Sequence, residues 1–294
     1  MAVTTRRTFV GAAAALAVAA AAPRLAFAHE HQASPAAAEE TSLLGELGLP
    51  VFDLTVTADG IQAPAEFAAG TILLRASNQS ETYATVQFIQ LAEGITEADL
   101  EAGIQPEAGI PAFAHESVMN GGAELEPGVT VEVAFDLTAG DRYLLSLSEA
   151  PSFVPLTVTG DPAIVEIPAT VAVEMSHHDF ALPAEIAAGP AIWQLTNVDP
   201  VLHHVMLFSY PEAITEDDAL GMLMAQEGMA SPPAGLDPSL VAFNGGTGLL
   251  SAGQTNYQEF DLAPATYFAV CFIADPGADV PHVAQGMIQV FTVA

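Results

Sequence analysis

Alternation of apolar and polar residues dominates the chain and predicts short β-strands throughout its body. Each predicted strand is bounded by glycine or proline turns; the clearest are 51–57, 71–76, 129–137, 171–175, 191–196 and 255–262. Two short helices should interrupt them, because Asp99 follows Thr96 and Asp218 follows Thr215 at capping-box spacing. The pattern therefore predicts an all-β chain of antiparallel Greek-key sandwiches with short helical excursions.

The chain contains one pattern twice. The segment PAEFAAG at 64–70 returns as PAEIAAG at 183–189, and Asn78 returns as Asn197. These pairs are 119 residues apart, whereas NGG at 120–122 returns at 244–246 and FDL at 135–137 returns at 260–262, at offsets of 124 and 125. One short insertion within the second copy explains the change. A repeat of this length is enough for a domain with its own core. We predict one domain over 49–160 and a second over 161–294.

The N-terminus has the features of an export signal. Arg6 and Arg7 precede an alanine-rich apolar stretch, and residues 1–28 end in the cleavage pattern Ala-Phe-Ala. The paired arginines resemble a twin-arginine signal, with a general secretory signal as the alternative. Residues 29–48 are predicted to form a flexible tether. The signal predicts an extracytoplasmic protein, in the periplasm, at the cell surface or secreted. Because no run of 18 strongly apolar residues follows it, we expect no transmembrane segment in the mature chain.

Charge narrows the choice of partners. The chain has no lysine, and beyond residue 28 only Arg75 and Arg142 face 36 carboxylates. Nucleic acid and anionic lipid are poor partners for such a chain. A basic protein partner fits the charge, and a solvated acidic surface is the alternative. The single cysteine, Cys271, excludes an intramolecular disulfide.

The second copy carries side chains that the first lacks. His203, His204 and Cys271 occupy the positions of Ala84, Thr85 and Leu147, and His282 and Met287 follow in the last loop. A thiolate, two imidazoles and a weak axial thioether are the ligands of a copper ion that cycles between Cu(I) and Cu(II).

Strand alternation distinguishes the two adjacent histidines. In the first copy Ala84, Val86 and Phe88 are apolar and alternate with polar residues, so they should face the core. The residue aligned with Ala84 is His203, which therefore points inward, and His204 points to the opposite face.

With these residues placed, the second copy resembles the cupredoxins, the blue-copper proteins of the plastocyanin and azurin type. The likeness covers about 168–294 and rests on Phe180 to Pro183, Ala187-Ala188-Gly189, Trp193, Asn197 and the order His203, Cys271, His282, Met287. The ten residues between Cys271 and His282 exceed the usual loop of that family. The resemblance implies two tandem cupredoxin-like Greek-key β-sandwiches. The first would be metal-free, and the second would bind one copper ion through His203, Cys271, His282 and Met287.

Several other donors have both a functional and an ordinary explanation. His177 and His178 are rim or extra ligands, or an exposed pair. Three methionines could form a Cu(I) site, but we interpret them as packing of the predicted helix. The mature N-terminus could bind Cu(II), or it could be a solvated tail. His115 is predicted to lie at the surface. The methionines are Met222, Met224 and Met229, and the terminus is His29-Glu30-His31.

The sequence predicts an exported protein with one type 1-like copper that transfers single electrons, with His282 at the electron exit and a basic redox protein as partner. An extracytoplasmic copper carrier or sequestration protein and a metal-free structural pair of sandwiches are the alternatives. Hydrolytic motifs are absent from the sequence, and the second copy has none of the His-x-His pairs that multicopper enzymes of this superfamily need, beyond the adjacent pairs His177-His178 and His203-His204. On this basis the chain is expected not to be an enzyme.

Overall fold

The structure, a computed structural model, describes residues 42–104, 110–148, 151–278 and 280–294. The predicted signal peptide, its paired arginines and the His29-Glu30-His31 terminus lie outside these ranges. The first half contains eight strands and two helices. They are β1 Val51–Thr57, β2 Gly60–Gln62, β3 Glu66–Asn78, β4 Ala84–Gln90, α1 Glu97–Gly103, α2 Ala112–Glu116, β5 Val118–Leu125, β6 Thr130–Leu137, β7 Gly140–Leu147 and β8 Ser152–Ala163.

The second half repeats this order with one helix. Its elements are β9 Val171–Ser176, β10 Asp179–Ala181, β11 Glu185–Ile186, β12 Gly189–Asn197, β13 Met206–Tyr210, α3 Glu216–Gln226, β14 Ala242–Gly246, β15 Thr255–Leu262, β16 Ala265–Val270 and β17 Ile288–Val293. The all-β class with short helical excursions is therefore confirmed. Both predicted capping boxes are present, since Thr96 and Thr215 each accept a bond from the amide of the aspartate three residues later. The pattern did not predict helix α2.

Each half folds as a sandwich because one strand crosses from sheet to sheet. In the first half, β3 pairs with β6 and β1 along one sheet, while its start pairs with β8 in the other. The crossing occurs at Gly70, where φ is 136° and a side chain would meet the backbone of Ala163. In the second half β11 and β12 divide the same role, pairing with β17 and with β9 and β15.

The sandwiches differ in one respect from the antiparallel expectation. The pairs β1·β3, β3·β8, β9·β12 and β11·β17 run parallel, so both sheets of each half are mixed. Each parallel pair involves the crossing strand, or in the second half the two strands that divide its role. Alternation along a strand reports which face is buried, but it is identical for parallel and antiparallel neighbours.

The strand that leads to Cys271 is buried on both faces. Tyr267, Ala269 and Cys271 lie in the central core of the second half, whereas Phe268 and Val270 pack under α3 with Met222. Met222 is fully buried and Met229 is exposed, so the predicted helix packing holds for Met222. The core therefore fixes the face of β16 that Cys271 extends.

The two halves share one continuous sheet. Strand β15 pairs with β6, and the buried side-chain amide of Asn256 donates to the backbone carbonyl of Asn120. Residues 42–48 cover part of this junction, where Leu44 is fully buried beside Leu73 and Ile192. The described end of the predicted tether is thus packed against both halves. The predicted boundary at residue 160 falls inside β8, and we propose that the two domains meet just after this strand, between Ala163 and Val171.

Candidate metal centre

Asn197 and its neighbours set the position of His203. The Asn197 side chain donates to the carbonyls of Val201 and Leu250, both at 2.7 Å. The backbone of His203 pairs with Leu250 in both directions, at 3.2 and 2.8 Å. These bonds hold the loop after β12 against the core and leave His203 fully buried.

The long loop after Cys271 closes on itself. His282 donates its amide to the carbonyl of Ile273 at 2.7 Å, and Val283 donates to the carbonyl of Cys271 at 2.8 Å. Residues 274 and 281 form an isolated bridge at the neck of the loop. The extra residues therefore form an excursion, and His282 returns beside the end of β16.

Three predicted ligands meet in the core. The sulfur of Cys271 lies 3.7 Å from Nδ1 of His203 and 3.5 Å from Nδ1 of His282, and the two nitrogens are 3.1 Å apart. All three side chains are fully buried. A metal bound by imidazole at about 2.0–2.1 Å and by thiolate at about 2.3 Å, with angles near 100–120°, requires separations of roughly 3.1–3.8 Å. The cluster therefore fits a single metal ion, and its soft donor set supports copper.

Met287 lies at the same end of the core. Its side chain is fully buried, its amide donates to the carbonyl of His282 at 2.9 Å, and its carbonyl accepts the amide of Cys271 at 3.3 Å. The backbone thus joins Met287 to two of the three clustered residues. An axial role for its thioether stays a prediction.

Burial controls the protonation of the cluster. It raises the pKa of Cys271 to about 12, although the backbone amides of His204 and Ile273 donate to the sulfur and oppose this shift. Burial together with the nearby His282 lowers the pKa of His203 to about 4, and burial also lowers the pKa of His282. At neutral pH both imidazoles are neutral and can bind a metal, whereas the thiol requires a cation beside it to ionise.

His204 has a different role from His203. It is also buried, but its Nε2 accepts the backbone amide of Phe272 at 2.9 Å, and its pKa falls to about 3 because of burial. The predicted inward direction of His203 agrees with the structure. His204 points away from the cluster and positions the residue that follows Cys271.

The remaining histidines lie around the cluster. His178 stacks on His282 with ring centroids 4.2 Å apart, while the side chain of His177 is 89% exposed. His115, which was expected at the surface, is half-buried on α2. Its Nδ1 lacks a hydrogen-bond partner among the described residues, and burial lowers its pKa while the nearby Asp275 opposes this shift. Helix α2 of the first half thus reaches the loop of the second.

Two aspartates at this end were not predicted. Asp275 Oδ1 lies 3.3 Å from Nε2 of His282, and Asp199 Oδ2 lies 3.9 Å from Nε2 of His203. Burial opposes the ionisation of Asp199, but amides of His177 and Val201 lower its pKa below the ordinary value. Asp275 lies in the unusually long loop, which is the one sequence signal that pointed to it.

The first half has no donors at the equivalent positions. Ala84 is fully buried, and Thr85 pairs with Leu147 across β4 and β7. Among the described residues, no helix is long and apolar enough to span a membrane.

Comparisons with known proteins return copper proteins among the solved structures. No family model and no curated protein matches the chain. Auracyanin A of Chloroflexus aurantiacus, a "blue" copper protein, is 22% identical over 42% of this chain and 98% of its own, with a TM-score of 0.27. A multicopper oxidase is 13% identical over 83% of this chain and 88% of its own, with a TM-score of 0.24. A copper-containing nitrite reductase of Thermus scotoductus is 10% identical over 83% of this chain and 61% of its own, with a TM-score of 0.23.

These matches agree with the cupredoxin resemblance. Likenesses this distant carry no argument about what the chain does. The expectation that the chain is not an enzyme is nevertheless not kept, because enzymes, a multicopper oxidase and a nitrite reductase, are among these matches.

Proposed function

We propose that the chain binds one copper ion in the second half and passes single electrons through it. The observation that supports this is the buried cluster of one thiol and two imidazole Nδ1 atoms, mutually 3.1–3.7 Å apart. Copper, when bound, supplies a one-electron couple between Cu(I) and Cu(II). His203, Cys271 and His282 would hold it, and Met287 would supply a weaker fourth donor.

The protein's contribution is a preformed and dry site. Because the three ligand side chains are fully buried, water is excluded from their donor atoms. Backbone hydrogen bonds fix the main-chain positions of the three ligands: His203 bonds to Leu250, His282 to Ile273 and Cys271 to Met287. A rigid donor set of this kind favours electron transfer, since little has to move when the charge of the site changes.

Loading the site must release a proton. The pKa of Cys271 is raised to about 12 by burial, so the sulfur is a thiol at neutral pH without metal. A thiolate is the form that binds. The amides of His204 and Ile273 already point at the sulfur and would stabilise its negative charge.

The route of the electron to the surface keeps His282 and includes one further residue. His282 is fully buried, and the stacked ring of His178, whose side chain is 26% exposed, covers it. The exit that we propose therefore runs from His282 through His178. A basic redox protein would suit the acidic chain as partner, and the predicted export signal supports an exchange outside the cytoplasm.

Copper titration followed by absorption tests the proposal. The wild type should take up one Cu(II) per chain and show an intense visible band that dithionite bleaches and air restores. Cys271→Ser should lose the band because a hydroxyl cannot replace the thiolate, and His203→Ala should lose or alter it. His115→Ala is the matched control and should behave as the wild type.

The other outcomes point to the alternatives. Tight binding of Cu(I) without a Cu(II) band would indicate a carrier. Absence of any copper after loading would leave a structural pair of sandwiches. A visible band that survives in Cys271→Ser contradicts the proposed ligand set.

A further inference from the structure

The turn between β9 and β10 has an unusual conformation for its sequence. Ser176 pairs with Asp179, so the turn consists of His177 and His178, with φ of 48° and 59°. Among the described residues these are the only positive φ values outside glycine. Hairpin turns with two positive φ values favour Asn-Gly, because a β-carbon is strained there. Two histidines in this place suggest a role for their side chains.

Each of these histidines contacts an aspartate that also faces a predicted ligand. His177 donates its backbone amide to Asp199, and its Nδ1 lies 3.4 Å from the same carboxylate. His178 Nε2 lies 3.5 Å from Oδ2 of Asp275. Oδ1 of Asp275 lies at hydrogen-bond distance, 3.3 Å, from Nε2 of His282. Asp199 lies 3.9 Å from Nε2 of His203, which has no hydrogen-bond partner among the described residues, so it acts on this nitrogen through its charge.

In both His203 and His282, the two ring nitrogens face different groups. The Nδ1 atoms face Cys271, and the Nε2 atoms face Asp199 and Asp275. A neutral imidazole carries one proton, and a carboxylate attracts it to the nitrogen nearby. Nδ1 then keeps the lone pair that a metal needs. Such outer carboxylates orient metal-bound histidines and raise their basicity.

We propose that His177, His178, Asp199 and Asp275 form a clamp that holds His203 and His282 in the tautomer and orientation that present Nδ1 to Cys271. This inference rests on the proposed function, which it deepens by naming what positions the ligands. Asp275 is the acceptor for His282, and the ring of His178 covers His282 and orients Asp275. Asp199 faces His203, and the turn anchors it through His177.

The clamp also explains the long ligand loop. Asp275 lies within the ten residues that separate Cys271 from His282. The loop closes at residues 274 and 281, so the excursion carries Asp275 to the outer side of His282. A shorter loop would still connect the ligands but would lose this carboxylate.

A second metal ion is the competing explanation, because His178, Asp275 and His282 also lie within metal-binding range. That ion would need the lone pair of His282 Nε2, which the clamp leaves protonated. The two rings are also stacked, with 26° between their planes, so their in-plane lone pairs do not converge well on one ion.

The first experiment needs no copper. Long-range ¹H–¹⁵N correlation of the metal-free protein reports which nitrogen of His282 carries the proton. We expect Nε2–H in the wild type and in Asp275→Asn, which keeps an acceptor oxygen, and a mixture of tautomers in Asp275→Ala. The exposed Asp261→Ala is the matched control. An Nε2–H tautomer that persists in Asp275→Ala overturns the clamp, whether or not the protein binds copper.

The second experiment separates the clamp from fold stability. The double variant His177→Asn/His178→Gly introduces the preferred turn, so the metal-free protein should unfold at the same or a higher temperature. Copper should nevertheless dissociate about 10- to 100-fold faster, because the ligands lose their outer support. Unchanged dissociation overturns the clamp, as does faster dissociation together with a lower unfolding temperature. Two coppers per wild-type chain, falling to one in Asp275→Ala, indicate the second metal site instead.

Discussion

Replacing His204 by leucine should separate the positioning role of this residue from that of a metal ligand. The variant keeps the volume and the backbone amide that donates to Cys271, but it removes the acceptor of the Phe272 amide. A buried donor without a partner costs about 1–3 kcal/mol. At pH 7.5 the metal-free variant should therefore be less stable than the wild type by that amount, and it should still bind copper.

The deficit should shrink and then reverse in acid. The pKa of His204 is lowered to about 3 by burial, from 6.5 in the unfolded chain. Between these values the unfolded state binds more protons, so the stability that His204 contributes is intact above pH 6.5 and is lost as pH falls toward 3. The full loss is about 5 kcal/mol at 1.36 kcal/mol per unit. A deficit of about 1–3 kcal/mol is offset within roughly 0.7–2.2 units, which places the crossing between about pH 4.3 and 5.8.

Urea unfolding of metal-free wild type and variant from pH 7.5 to about pH 4 measures this crossing. His204→Gln is the control: it keeps an acceptor and cannot titrate, so its deficit at pH 7.5 should be smaller and its gain in acid similar. A difference between wild type and His204→Leu that stays constant with pH refutes the electrostatic reasoning. Loss of the copper band at pH 7.5 refutes the positioning role.

Three further predictions concern other parts of the chain. Met287→Leu should keep copper but raise its reduction potential in voltammetry, since losing a weak axial donor disfavours Cu(II) more than Cu(I). Glu124 has its pKa raised to about 7 by burial, above 4.5 in the unfolded chain, so its contribution is intact in acid and lost as pH rises through 7. Glu124→Gln should thus gain up to about 3 kcal/mol over wild type at pH 8.5 and nothing at pH 4, as measured by urea unfolding. Changing Arg6 and Arg7 to lysine should block export if the twin-arginine pathway is used; unchanged secretion would indicate the general route.

Local sequence patterns determined the predicted strands, the two capped helices and the choice of His203 over His204 as the inward residue. Capping at Thr96 and Thr215 depends on residues within one helical turn, and side-chain alternation depends only on adjacent residues. The same alternation showed that His203 and Cys271 face one core, as the structure has them. These features were readable because their causes lie within a few residues of one another.

Packing between distant segments decided the rest. Gln87 alternates as a polar, outward residue, yet it is fully buried because the second half covers it and the amide of Leu249 donates to its side chain. In the same way His204 is buried and His115 is half-buried by segments that no local pattern connects to them. His178 reaches His282 only because the β9–β10 turn and the long loop meet at one end of the sandwich. Alternation records whether a side chain points up or down from a strand, and it contains no information about which other segment covers that face.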